Sequence, residues 1–147
     1  RMNTLYKWIA IADRHSKIHL DRMFKALGIN SSHHMFIIKI CENEGIAQDR
    51  LPGIAHIDKS NVTRALRYLE KHGFITRRPK DGDRRAAVLF PTDKGRAAYD
   101  GVIAIENAWV ETITAGLAED EKQRLLRDMR RVAETAVREA RLGSDPA

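Results

Sequence analysis

The 147-residue sequence contains a single cysteine, Cys41, and no long apolar run. One cysteine excludes an internal disulfide framework and a zinc site built from several cysteines. No stretch approaches the roughly 18 apolar residues that a membrane-spanning helix needs. The first residues, RMNTLYKW, lack the apolar core and cleavage site of a signal peptide. We therefore expect a cytoplasmic protein without a membrane partner.

Catalytic patterns are also missing. No Ser-His-Asp or paired-carboxylate arrangement stands out, and there is no internal repeat or low-complexity segment. The chain is 43% hydrophobic and 31% charged, as in an ordinary globular protein. These absences predict a protein that is not an enzyme and holds no cofactor.

Positive charge, by contrast, is concentrated in one stretch. Residues 59–85 hold nine Lys or Arg against three acidic residues, an excess that equals the net charge of +6 of the whole chain. Solvated surfaces usually mix both signs, whereas a concentrated positive patch is typical of a protein that binds a polyanion.

The basic stretch begins with a predicted amphipathic helix over residues 58–72. Its apolar residues recur at i, i+3, i+4 and i+7, which predicts one buried stripe. They are Val62, Ala65, Leu66 and Leu69. Asp58 is the predicted N-cap, and Gly73 stands where a helix ends in a left-handed residue.

A β-hairpin is predicted to follow this helix. Residues 74–78 suit a strand, residues 79–83 a turn, and residues 86–90 a returning strand, with Pro91 expected to end the pairing. A short helix is predicted before the basic one, over residues 48–56. A short helix, a turn, a polar-faced helix and a hairpin are the parts of a helix-turn-helix with a wing.

Longer helices are predicted on both sides of these elements. They cover residues 3–27, 32–43, 93–115 and 119–141, with Gly28 as a stop and Thr92 as a cap. The first and the last two carry surplus apolar surface, including Trp8, Trp109 and the stripe from Leu125 to Val137. Because monomers rarely expose such patches, we expect these helices to form a dimer.

Three ordered segments make the chain resemble the MarR family of winged-helix transcription regulators. They are Asn61-Val62-Thr63-Arg64, then Leu69-Glu70-Lys71-His72-Gly73-Phe74-Ile75, and Asp83-Arg84-Arg85 followed by Thr92-Asp93-Lys94-Gly95. The resemblance agrees with the fold predicted from the residues, which is mainly α with a small β-hairpin. It implies a single MarR-type domain over 1–147, with a winged lobe at 32–91 and dimerisation helices at 3–28 and 93–142.

The residues predicted to contact double-stranded DNA are donor-rich or cationic side chains, which suit base edges and phosphates. They are Lys59, Ser60, Asn61, Thr63, Arg64 and Arg67 on the helix, and Arg77, Lys80, Arg84 and Arg85 on the hairpin. The resemblance implies that one wing arginine enters the minor groove. We favour Arg85, with Arg84 or Lys80 on phosphate and Asp83 holding the loop by pairing with a nearby arginine.

The predicted function is that of a sequence-specific transcriptional regulator. We expect a homodimeric repressor on a pseudo-palindromic operator, released by a small aromatic or anionic effector. The resemblance implies a cleft between the dimerisation helices and the DNA-binding lobe. Residues suited to line it are Trp8, Ile11, His15, Met35 and Phe36, although core packing explains them equally well.

The sequence is also compatible with two alternatives. One is a winged-helix module that binds an acidic protein partner. The other is a metal-responsive regulator, because His15 and His19 lie four apart on a helix and His33 and His34 are the only other obvious donors. Solvated histidines are the default interpretation. Inert burial is expected for Cys41, since a redox sensor needs exposure and a basic neighbour.

Overall fold

The structure, a computed structural model, describes residues 1–57 and 59–142, apart from the side chain of Arg84. Six α-helices and three β-strands make up the described elements. They are α1 (Leu5–Phe24), α2 (His34–Glu42), β1 (Ile46–Ala47), α3 (Leu51–Ala55), α4 (Lys59–Lys71), β2 (Ile75–Lys80), β3 (Asp83–Pro91), α5 (Asp93–Ile113) and α6 (Glu119–Leu142). Short 3₁₀ turns extend α1 at both ends and precede α3. The predicted fold class, mainly α with a small antiparallel sheet, is confirmed.

Two compact units divide the chain. The first runs from Arg1 to Trp109, and the second begins at Val110, within α5. No helix in the described parts of either unit is long and apolar enough to cross a membrane.

The core of the first unit lies under α4. All four residues of the predicted stripe are buried, namely Val62, Ala65, Leu66 and Leu69. They pack with fully buried aromatic side chains from α1, α2 and the segment before β2, which are Phe24, Phe36 and Phe74. Burial of this stripe fixes which face of α4 remains available to solvent.

The helix ends follow the predicted signals. Gly28 and Gly73 have φ angles of 78° and 80°, the left-handed conformation in which glycine lacks the Cβ penalty. Pro52 lies in the first turn of α3, where its missing N–H has no intrahelical partner. The turn between α3 and α4 contains His56, a non-glycine residue with φ of 55°. The predicted N-cap, Asp58, lies outside the described residues.

The sheet has one more strand and a tighter turn than predicted. Its order is β1-β3-β2, all antiparallel, with Ile46 opposite Leu89. The two residues of β1 were not predicted, because their strand conformation depends on pairing with β3 rather than on a local pattern. β2 also continues through Pro79 and Lys80, which the sequence assigned to the turn; Pro79 is tolerated because β2 is an edge strand.

The prediction that Pro91 ends the pairing is wrong. β3 includes Pro91, which lies opposite Ile75. The N–H of the next residue, Thr92, donates to the Phe74 carbonyl oxygen over 3.0 Å. Since hydrogen-bonded pairs alternate along an antiparallel ladder, the nitrogen of Pro91 faces away from β2. β1 ends short of this position, so the missing N–H costs no ladder bond.

A dense set of contacts joins the end of α4 to the start of α5. The Thr92 hydroxyl donates to the Gly73 carbonyl oxygen (2.6 Å) and accepts the N–H of Gly95 (3.1 Å), so Thr92 caps α5 as predicted. The Lys94 ammonium donates to the His72 carbonyl oxygen over 2.8 Å. A Cβ at Gly95 would lie 2.1 Å from the Phe74 carbonyl oxygen. The Thr-x-x-Gly segment therefore fixes α4 against α5.

In the second unit, α6 lies at the surface along its length. None of the described residues from Glu119 to Leu142 is buried. The backbone N–H of Ala118 donates to the Glu121 carboxylate over 3.0 Å, so the helix start keeps half of a capping box although Ala118 has no capping side chain. The Lys122 ammonium lies 3.3 Å from the Glu111 carboxylate of α5.

Candidate nucleic-acid interface

The polar face of α4 forms one side of the interface. Because the apolar stripe turns inward, every residue predicted to contact DNA from this helix is exposed: Lys59, Ser60, Asn61, Thr63, Arg64 and Arg67. The Thr63 hydroxyl donates to the Lys59 carbonyl oxygen over 3.1 Å, and the Arg64 guanidinium lies 3.4 Å from the amide oxygen of Asn61. These local contacts orient donor groups along the outer face of the helix.

The wing forms the other side. Lys80 and Arg85 are exposed near its tip, whereas the side chain of Arg84 lies outside the described residues. The Asp83 carboxylate accepts the backbone N–H of Arg85 over 2.9 Å. This contact is with the Arg85 backbone, whereas pairing with an arginine side chain was predicted. It gives Asp83 a part in shaping the loop that presents Arg85.

A helix–wing groove of about 560 Å³ separates these two sides. From α4 it is lined by Lys59 and Thr63, and from the wing by Arg77, Asp83 and Arg85. The structure thus brings residues from the start of α4 and from the wing around one concave surface, whose lining holds three cations and two carboxylates, Asp49 and Asp83. Lys59 of α4 and Arg85 of the wing provide positive charge on both sides of it, which suits a phosphate backbone.

Arg77 differs from Arg64, whose described partner is in its own helix, because the Arg77 guanidinium contacts side chains of two other elements. It donates to the side-chain oxygen of Gln48 over 2.6 Å, and its Nε lies 3.4 Å from the Glu70 carboxylate. No role was predicted for Gln48 or Glu70. The sequence does contain one signal for the inward position of Arg77: side chains alternate between the two faces of β2, so Arg77 lies on the same face as the buried Ile75.

Comparisons with known proteins agree with this geometry. Residues 29–87 match the family model described as MarR family. The transcriptional repressor MprA of Escherichia coli (strain K12) is 33% identical over 71% of this chain and 61% of its own. The regulator YybA of Bacillus subtilis (strain 168) is 28% identical over 79% of this chain and 77% of its own. The chain belongs to the MarR family.

A solved structure shows which ligand one relative binds. A MarR family regulator from Listeria monocytogenes, solved in complex with 26mer DNA, superposes with a TM-score of 0.86 at 26% identity over 97% of each chain. This protein is accordingly a DNA-binding transcriptional regulator of the MarR family, a family of regulators and not of enzymes. Its α3 and α4 form the helix-turn-helix, and β2 and β3 form the wing.

A second concavity, the α1–α2–α4 cleft, lies on the other side of α4 in this MarR family member. It has a volume of about 680 Å³. Of the five residues predicted for an effector pocket, Met35 and Phe36 line it, whereas Trp8, Ile11 and His15 are not among its lining residues. The cleft instead includes groups that pattern reasoning missed, among them Ser16, Lys17, Asn61 and Arg64.

The histidines considered as metal ligands have other contacts. The His19 ring stacks on Trp109 with centroids 4.1 Å apart, and His34 Nε2 lies 3.2 Å from the Glu106 carboxylate. His15 is exposed. Within residues 1–57 and 59–142, no group of three or more His, Cys, Asp or Glu side chains is placed to hold a metal ion. The described geometry gives the metal-sensor alternative no support.

His33 is the one buried polar side chain of the described core. Its Nδ1 accepts the backbone N–H of Asn30 over 3.2 Å, and its ring stacks on Tyr68 with centroids 4.1 Å apart. Burial, followed by the nearby His72, lowers the pKa of His33, with His34 acting in the same direction and Asp21 against it. The ring is therefore held neutral, in the form that accepts the Asn30 N–H.

This lowered pKa predicts acid sensitivity. The folded chain binds a proton at His33 less readily than the unfolded chain does. The contribution of neutral His33 to the free energy of unfolding is therefore complete above about pH 6.5 and is lost as the pH falls below it. We expect the urea midpoint to drop between pH 7.5 and pH 5.5, and to drop less in His33→Gln, which carries no titratable ring. An equal drop in both proteins would contradict the prediction.

Cys41 lies half-buried, and its thiol points to the Gly95 carbonyl oxygen over 3.7 Å. Burial raises the pKa of Cys41 to about 11. A thiol with this pKa is almost entirely protonated at neutral pH, so it lacks the thiolate character of a redox sensor. The environment supports the predicted inert role.

Proposed function

We propose that the protein is a homodimeric repressor that binds a pseudo-palindromic operator and is released by a small aromatic or anionic effector. The observation that carries the DNA-binding part is the row of exposed donors on α4, of which Lys59 and Thr63 line the helix–wing groove together with Arg85 of the wing. The proposed direct contacts are Lys59, Ser60, Asn61, Thr63, Arg64 and Arg67 on α4, and Lys80, Arg84 and Arg85 on the wing.

These residues divide by the part of DNA that suits them. The Asn61 amide can donate to and accept from adenine, and the Arg64 guanidinium can donate two hydrogen bonds to guanine in the major groove. Arg67 lies one turn further along α4 and meets phosphate. Arg85 enters the minor groove beside the wing, where the negative potential is greatest if the groove is narrow.

Dimerisation is supported by uncovered apolar side chains in each unit. In the first, Tyr6 and Trp8 of α1 are 79% and 59% exposed. In the second, Leu125, Leu126 and Val132 of α6 are all exposed. Monomers rarely leave so many large apolar groups in water, so a second copy is the proposed cover. A dimer also presents two copies of α4 to successive major grooves.

Repression and effector release are supported separately. The relative MprA is a transcriptional repressor. The α1–α2–α4 cleft combines two cationic groups, Arg64 and Lys17, with the apolar side chains of Met35 and Phe36, and the Lys17 ammonium is paired there with the Asp13 carboxylate over 2.9 Å. That combination suits an aromatic acid, with the ring against carbon and the carboxylate on a cation. Because Arg64 is also a proposed base contact, an occupied cleft competes with DNA for it.

The function is tested by selecting duplexes of about 26 base pairs, the length bound by the Listeria relative, from a random pool. We expect enrichment of an inverted repeat bound by two protomers, with half-sites about one helical turn apart. Sedimentation of the complex measures the stoichiometry. Recovery of no preferred duplex at low salt would contradict the proposal and favour a module for an acidic protein.

The effector part is tested with phenolic acids. We expect them to raise the melting temperature and to weaken binding of the selected duplex, because a ligand that binds only the folded, released form stabilises it. Lys17→Gln should reduce both effects, since Lys17 is a cationic group of the cleft. Protein that binds DNA normally but gains no stability from any acid tested would count against this part.

A further inference from the structure

Arg77 forms a side-chain bridge within the interface. One guanidinium contacts Gln48 at the start of the helix-turn-helix and Glu70 in the second half of α4, while its backbone belongs to the wing strand β2. Three elements that face DNA thus meet at one side chain. Gln48 lies 29 residues before Arg77 in the chain, so the contact is tertiary and not a consequence of local geometry.

The sheet explains why Arg77 points inward. Residues directly opposite in an antiparallel pair project on the same face, and Arg77 lies opposite the fully buried Leu89. Its neighbour Arg78 projects on the other face, with its guanidinium 4.6 Å from the centre of the Phe90 ring. Arg77 is therefore the cation of β2 on the helix-facing side, at the margin of the core.

The bridge also crosses the central strand. β1 and β2 flank β3, and Gln48 directly follows β1, so the bond between Arg77 and Gln48 spans the sheet. A planar guanidinium can donate to two separate acceptors in fixed directions, which an ammonium cannot do in the same way. Such a group is suited to set the distance between the wing and α4.

We infer that Arg77 is a positioning residue, which holds the wing at a fixed distance from α4 through Gln48 and Glu70 and does not itself contact DNA. The inference rests on the proposed DNA surface. A regulator that inserts α4 in the major groove and Arg85 in the minor groove needs the two at a set separation. Loss of the bridge therefore lowers the preference for the operator more than the general attraction to DNA.

The test compares Arg77→Lys, Arg77→Ala, Gln48→Ala and the Arg77→Lys/Gln48→Ala double variant on the selected duplex and on a scrambled duplex of equal length. We expect each single variant to weaken operator binding roughly tenfold, about 1.4 kcal/mol, and to leave scrambled binding nearly unchanged. The double variant should be no weaker than the worse single one, because both break the same bridge. The slope of log Kd against log salt should not change in Arg77→Lys, which keeps its charge.

Arg96→Lys is the matched control. Arg96 likewise contacts two acceptor side chains, the carboxylates of Glu44 and Asp93, but it belongs to α5 and lies outside the proposed contact surface. It should bind both duplexes as wild type does. Melting temperatures confirm that each variant is folded, and Gln48→Ala, which changes no charge, still tests the bridge if Arg77→Lys is unstable.

Two results would overturn the inference. If Arg77→Lys and Gln48→Ala both bound the operator with wild-type affinity, the bridge would not set the distance between the wing and α4. Arg77 would instead be a phosphate contact if Arg77→Ala weakened binding of operator and scrambled DNA equally and lowered the salt slope, while Gln48→Ala bound both duplexes as wild type does. Failure of the wild-type protein to select any duplex would instead refute the proposed function, so the two failures are distinguishable.

Discussion

Arg85→Ala is expected to weaken binding of the selected duplex by on the order of 100-fold. A specific arginine contact contributes about 1–3 kcal/mol, and a dimer places one such contact at each half-site. Arg85 is exposed, lines the helix–wing groove opposite α4, and is presented by a loop that Asp83 holds through the Arg85 backbone N–H. The alanine variant keeps that backbone contact, so the loss is confined to the side chain.

Fluorescence anisotropy across a salt series measures this prediction. Each neutralised phosphate contributes about 0.9 to the slope of log K against log salt, so the slope should fall by roughly two for a dimer. Arg96→Ala removes the same charge from α5 and should change neither quantity appreciably, because an exposed ion pair contributes little. Unchanged affinity in Arg85→Ala would exclude the assignment of Arg85 to the minor groove.

The features predictable from sequence are those set by local chemistry. The buried stripe of α4 follows from helical spacing alone, and the helix stops at Gly28 and Gly73 follow from the left-handed φ that glycine tolerates. Thr92 was predictable as a cap because a hydroxyl three residues before a helical N–H is in reach of it. No knowledge of distant contacts was needed for any of these.

The errors arise where a distant partner decides the outcome. β1 exists because β3 pairs with it, and two residues carry no periodic signal. The prediction for Pro91 used the rule that proline cannot donate a hydrogen bond to a strand ladder. Whether a bond is lost depends on which side the proline nitrogen faces, and that is set by the register with β2. In each case the backbone conformation is allowed locally and selected by pairing.

The candidate site shows the same division. Charge counting singled out residues 59–85 but does not distinguish their cations, whereas the alternation of β2 and its pairing with β3 separate Arg77 from its neighbours. The residues predicted for an effector pocket are only partly brought together in the α1–α2–α4 cleft, for a related reason. Trp8, Ile11 and His15 were predicted from their place on the first helix and from their side-chain chemistry. The position of the cleft depends instead on how α2 and α4 approach the later turns of α1.

Gly95→Ala is expected to destabilise the first unit by about 3 kcal/mol, the upper end of the range for overpacking. The added Cβ would lie 2.1 Å from the Phe74 carbonyl oxygen, which accepts the Thr92 N–H and belongs to a buried residue. Neither backbone can retreat without breaking the contacts that fix α4 against α5. DNA affinity should fall as well, since this contact set positions the recognition helix.

Two other glycines provide a graded control. At Gly101 the added Cβ meets the Leu27 methyl groups at 2.9 Å, and a flexible side chain can turn aside, so Gly101→Ala should cost about 1 kcal/mol. A Cβ added at Gly53 would meet no other side chain among the described residues within 4 Å, and the gain in helix propensity should leave Gly53→Ala neutral or up to about 1 kcal/mol more stable. Urea unfolding measures all three. If Gly95→Ala were no less stable than Gly101→Ala, the close approach of α5 to Phe74 could not be what requires glycine at this position.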